Sequence, residues 1–90
     1  MLKITFTKLF RKQRNLMQKR GRDMDELTEV MFLLVNELPL QPKHENHPLH
    51  GNWKGCQECH VEPNWLLVYE IDKSEQKIIF HRTGTHSDLF

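Results

Sequence analysis

Ninety residues with 38% hydrophobic and 28% charged side chains fit one globular domain, and exclude a disordered segment or two separately packed cores. No apolar run approaches the roughly 18 residues of a membrane span, and MLKITFTKLFRKQ lacks a signal-peptide core and cleavage site, so the chain reads as cytosolic with no membrane partner. Its net charge of +1 conceals an asymmetry: residues 1–22 carry eight basic side chains and no acid, residues 23–90 five basic and twelve acidic ones.

Leu2, Ile4 and Phe6 alternate with Lys3 and Thr5, which predicts a short strand. Phe6, Leu9, Phe10, Leu16 and Met17 then recur at helical spacing, so a helix is expected over Thr7 to Arg20, its apolar stripe interrupted by Gln13. This helix gathers Lys8, Arg11, Lys12, Arg14, Lys19 and Arg20, which form either a solvated face or a phosphate-contacting surface. Gly21 is placed to cap it. Asp23 followed by Glu26 resembles a capping box, and the stripe Met24, Leu27, Met31, Leu34, Leu38 predicts a second helix stopped by Pro39.

Pro39 to Asn52 holds three of the four prolines and three of the six histidines and reads as an irregular loop. Strands are expected at about Trp53–His60, Trp65–Ile71 and Lys77–Thr83, with turns at Glu62-Pro63-Asn64 and Asp72–Gln76. Trp65 to Tyr69 is apolar on both faces. It should be a central strand, with the helices on one side and other material, such as a partner, on the other. The order strand, helical hairpin, three strands gives an α+β domain over 1–90, with the helices packed on one face of a mostly antiparallel four-stranded sheet.

Both cysteines lie in GCQECH, Gly55 to His60. The C-x-x-C-H spacing admits haem attachment or half of a zinc site completed by His44 and His47. An extended strand, however, sends Cys56 and Cys59 to opposite faces, where they cannot share an ion, and leaves Cys56 and His60 on one side. The histidines carry more chemistry. His47, His60 and His86 can meet at one sheet edge, and converging imidazoles beside a basic helix suit metal-free RNA cleavage. One ring takes a 2′-OH proton, another protonates the departing 5′-oxygen, and a cation steadies the phosphorane. Trp65 or Phe90 would stack a splayed base. No G-x-S-x-G, P-loop or G-x-G-x-x-G is present.

HPLHGNWKGCQECHVEPNWLLVY, His47 to Tyr69, and RTGTHSDLF, Arg82 to Phe90, closely resemble the YafQ branch of the RelE superfamily of bacterial type II toxins, and the order of elements agrees over the whole chain. The resemblance implies a ribosome-dependent endoribonuclease that cuts mRNA in the decoding site without metal or cofactor. It also implies a DinJ-like antitoxin, encoded beside the toxin, that forms a heterotetramer with it, neutralises it and represses the operon by binding operator DNA. By motif match His60 and His86 are the expected proton-transfer pair, His47 a supporting or phosphate-orienting group, and Asn64, Trp65 and Phe90 supporting residues. One position departs from the pattern. The family usually has E-P-D-W where this chain has Glu62-Pro63-Asn64-Trp65, so loss of a carboxylate is expected to reduce activity, or to leave a homologue acting mainly through antitoxin binding and promoter regulation, unless Asn64 serves only the turn.

Overall fold

A computed structural model describes residues 1–90 as β1 (Lys3–Phe6), α1 (Lys8–Lys19), α2 (Met24–Val35), β2 (His47–Pro48), β3 (Gln57–Glu62), β4 (Trp65–Asp72), β5 (Lys77–Gly84) and α3 (His86–Leu89), with 3-10 turns at Pro42–His44 and Gly51–Trp53. The switch from β1 to α1 is made by Thr7. Its Oγ1 accepts the Phe10 N–H at 2.9 Å and donates to the His81 carbonyl at 2.9 Å, so one hydroxyl both caps the helix and ties it to the sheet. Gln13 interrupts the apolar stripe for a reason: its Oε1 accepts the Thr83 N–H at 3.0 Å, a donor that β1, ending at Phe6, is too short to pair.

The second helix ends at Val35, three residues earlier than its stripe predicts. Glu37 takes a left-handed φ of 56°, which turns the chain and leaves Leu38 exposed. Asp23 caps it alone, accepting from the Asp25 N–H, without the reciprocal bond expected from Glu26.

The sheet has five strands rather than four, in the order β1-β5-β4-β3-β2. β1 runs parallel to β5 and every other pairing is antiparallel. The added strand is β2, inside the proline-rich loop, where His47 pairs with Glu58 and Pro48 with Gln57. A proline is tolerated there because β2 is an edge. β3 starts at Gln57 and not at Trp53, because residues 51–53 form a 3-10 turn and Gly55 adopts φ 95°.

On one face of the sheet Phe10, Met17, Leu27, Val30 and Leu34 from the helices bury Cys59, Val61, Leu67, Tyr69 and Phe80. Phe6, Phe10 and Phe80 form an aromatic cluster with centroids 5.4–5.7 Å apart. The opposite face of β4 is covered as well, but by the chain itself. Leu66 and Val68 pack beneath Cys56, Leu89, Leu49 and Trp53, so the loop and the tail take the place expected of a partner.

Candidate active site

Strand alternation delivers Glu58 and His60 from β3 to the face away from the helices, while Cys59 and Val61 point into the core. Across the β2–β3 pair His47 meets Glu58: Nε2 lies 3.3 Å from Oε1 of a side chain only 7% exposed, and Nδ1 lies 2.9 Å from the Glu45 carbonyl. Both ring nitrogens face oxygen acceptors, an arrangement in which only the imidazolium form donates on both sides. His60 Nδ1 is 3.5 Å from a Glu45 carboxylate oxygen.

His86 opens α3, which follows directly from β5. Thr85 caps this turn by accepting the Asp88 N–H, while the Asp88 carboxylate accepts from the Thr85 N–H and hydroxyl. Gly84 permits the fold-back, since a Cβ there would meet the Asp88 Cβ at 2.9 Å. The His60 and His86 rings come to 6.0 Å between centroids at an interplanar angle of 71°, and His86 Nδ1 lies 3.3 Å from the Asn64 Oδ1 in the β3–β4 turn. The three histidines expected to converge therefore line one sheet face, with His60 and His86 as neighbours and His47 held through Glu58.

Trp65 sits differently from its expected stacking role. It is wholly buried among the core residues on the helical side, its Nε1–H donating to Thr83 Oγ1 at 2.8 Å, so it presents no ring face to a base. Phe90 is 66% exposed at the end of the tail and has such a face.

Of the basic helix, Lys8, Arg11, Lys12 and Lys19 are exposed, and the Arg11 and Arg14 guanidinium groups lie 5.5 and 5.3 Å above the Phe6 ring. Arg20 is not a free phosphate contact. Its two terminal nitrogens grip the Asp88 carboxylate at 2.7 and 3.1 Å, tying the end of α1 to the tail that carries His86. The hydrogen bonds from Arg20 hold the Asp88 carboxyl well below the usual carboxylate range, and the same contact raises the Arg20 guanidinium.

Three site groups escape the sequence reading: Glu58, Glu45 and Arg82. Arg82 projects from β5 opposite Val68, its guanidinium 5.1 Å above the Trp53 ring, with a buried Nε that has no partner. Glu58 Oε2 and His60 Nδ1 are likewise buried without a hydrogen bond. All three unsatisfied side-chain atoms lie on this one face, where a ligand has polar groups to pair. Period two on β3 ties Glu58 to the face of His60, and Arg82 stands two residues before Gly84 in RTGTHS, but no local pattern announces either.

The C-x-x-C arrangement binds nothing as a unit. Cys56 and Cys59 pack in separate clusters on opposite faces, and burial pushes the Cys59 thiol up to about 12. His44, the other half of the envisaged zinc site, is buried, with Nδ1 accepting the Gln41 N–H at 3.2 Å.

Residues 2–90 match the family of the bacterial toxin of type II toxin-antitoxin systems, YafQ. The chain belongs to the YafQ toxin family. It is 43% identical over 88 residues to the mRNA interferase toxin YafQ of Escherichia coli K12, covering 97% of this chain and 94% of that one. Its fold superposes on YafQ in the E. coli DinJ-YafQ complex with a TM-score of 0.92 at 42% identity, covering 100% and 99% of the two chains. A metal-bound toxin from Helicobacter pylori gives a TM-score of 0.94 at 43% identity over the full length of both. No helix of this YafQ-family chain is long and apolar enough to cross a membrane.

Proposed function

We propose that this YafQ-family chain is a metal-independent mRNA interferase that cuts mRNA in the decoding site of the ribosome. The observation that carries the reading is the His60–His86 pair, 6.0 Å apart on a face where Glu58 and Arg82 also present unpaired buried atoms. One imidazole takes the proton of a 2′-OH, whose oxygen attacks the adjacent phosphorus. The P–O5′ bond breaks, the second imidazole protonates the 5′-oxygen, and a 2′,3′-cyclic phosphate remains. His86 is suited to the first step, since an Nδ1–H donated to Asn64 leaves its Nε2 free to accept a proton. His60, beside the Glu45 carboxylate, is suited to the second. Arg82 supplies the cation for the phosphorane, His47 orients the phosphate with Glu58 behind it, and Phe90 stacks a base.

Exposed Lys8, Arg11, Lys12 and Lys19 bind ribosomal RNA, with α1 docked against the histidine tail through Arg20 and Asp88. A DinJ-like antitoxin neutralises the chain in a heterotetramer and represses the operon by binding operator DNA. Cleavage of ribosome-bound mRNA should fall by about 10²–10⁴ in His60→Ala and in His86→Ala with folding unchanged; undiminished cleavage in either would remove that residue from the chemistry. A second reading, a weakened toxin, rests on Asn64, which orients His86 without adding charge. On that reading Asn64→Asp raises the cleavage rate, and an unchanged rate rejects it.

A further inference from the structure

On the histidine-bearing face, but away from the His60–His86 pair, three further ligand-bearing side chains converge. Cys56 Sγ, a Glu70 carboxylate oxygen and a His81 ring nitrogen lie within 4.8 Å of one another. They come from three adjacent segments. The pairing of Gln57 with Tyr69 brings Cys56, one residue before β3, opposite Glu70 on β4, and the irregularity between Val68 and Tyr69 in the β4–β5 ladder turns His81 onto the same face, with its Nε2 3.0 Å from Glu70 Oε1. Leu66, the β4 partner of His60, is four residues from Glu70, roughly 13 Å along the strand. The two clusters are therefore separate.

We propose that Cys56, Glu70 and His81 form a binding site for a borderline-soft divalent ion of the Zn2+ class, independent of the catalytic histidines. One thiolate, one imidazole and one carboxylate make a donor set suited to zinc, with a fourth position open to water. Ligand atoms on a tetrahedral zinc ion stand about 3.3–3.8 Å apart, so modest side-chain rotation closes the triad. The parts that must move are the freer ones: the Glu70 and His81 side chains are 39% and 25% exposed and give the ion its route in. The part that must stay is fixed. Cys56 is 8% exposed, its N–H donating to the Trp53 carbonyl at 3.0 Å and its carbonyl accepting from Leu49 at 2.9 Å. Without an ion, burial and the nearby Glu70 charge raise the Cys56 thiol, so binding displaces a proton from sulfur as the metal–sulfur bond forms. The bound ion joins the exit of the histidine loop to the two central strands.

Co2+ titration of the tag-free chain, stripped of metal and reduced with a phosphine, tests the site. One Co2+ per chain is expected, with a near-ultraviolet thiolate-to-cobalt band that Zn2+ displaces. The band should vanish in Cys56→Ser, weaken with about tenfold or greater loss of affinity in Glu70→Gln and His81→Gln, and persist in Cys59→Ala and in a triple His47→Gln, His60→Gln, His86→Gln variant. Zn2+ at a hundredfold excess over the wild-type Kd should raise the melting temperature by about 10–20 °C in the wild type and by about half as much or less in His81→Gln. No band in the wild type, a band surviving in Cys56→Ser, or loss of the band in the triple histidine variant would each overturn the proposal.

Discussion

The two faces of the sheet solve opposite problems with the same strands. The helical face closes a core from side chains such as Phe10, Val30, Leu67 and Phe80, and leaves no buried side-chain nitrogen or oxygen there unpaired. The histidine face has a smaller apolar cluster around Leu66, Val68 and Leu89, and beside it the unsatisfied atoms of Glu58, His60 and Arg82. An unpaired buried polar atom costs about 1–3 kcal/mol. The helical face thus supplies the stability that the other face spends on groups held ready for a ligand.

Breaking the supporting face should have the largest effect. Phe10→Ala removes a wholly buried ring from the aromatic cluster and should lower unfolding stability by about 3–5 kcal/mol, read as a reduced urea midpoint. A loss under 1 kcal/mol would mean that the cluster does not hold the sheet.

On the other face the sign reverses. Glu58→Gln removes a nearly buried charge whose partner, His47, is 48% exposed and is not left stranded as an ion. Stability should stay level or rise by about 1 kcal/mol, while mRNA cleavage falls. A clear destabilisation would make Glu58 a structural residue.

The smallest effect concerns the tail that joins the two. The Asp88 carboxyl is held below its unfolded value near 3.9, chiefly by Arg20. The stability it contributes is therefore complete above the unfolded value and is lost as pH falls through the folded one. Wild type should exceed Asp88→Asn in urea midpoint at neutral pH, and the gap should narrow below about pH 4. A gap independent of pH would show that the ion pair is not its source. Because Arg20 and Asp88 are partly solvated, the difference should be modest.

Much of this was legible in the chain because it is local. Helical spacing marks Phe10 and Met17 as core, Gly21 marks the end of α1, and period two places Cys56 and Cys59 on opposite faces. The family's motifs point to His47, His60 and His86, and the structure lines all three along one face. Other roles stay open in the sequence where local chemistry fits two environments. Trp65 serves equally as a stacking platform or a core residue, and its complete burial, with Nε1–H bonded to Thr83, shows which. Arg20 looks like its basic neighbours until Asp88, 68 residues away, claims it.

The sequence alone determined the α+β order, the basic helix and the histidine set, because periodicity, turn residues and composition act over a few residues. The tertiary structure decided which strand joins the loop edge, which polar atoms remain unpaired, and that Cys56 faces Glu70 and His81. Those outcomes depend on strand register and on one irregularity between β4 and β5, and register is fixed by the packing of the whole sheet.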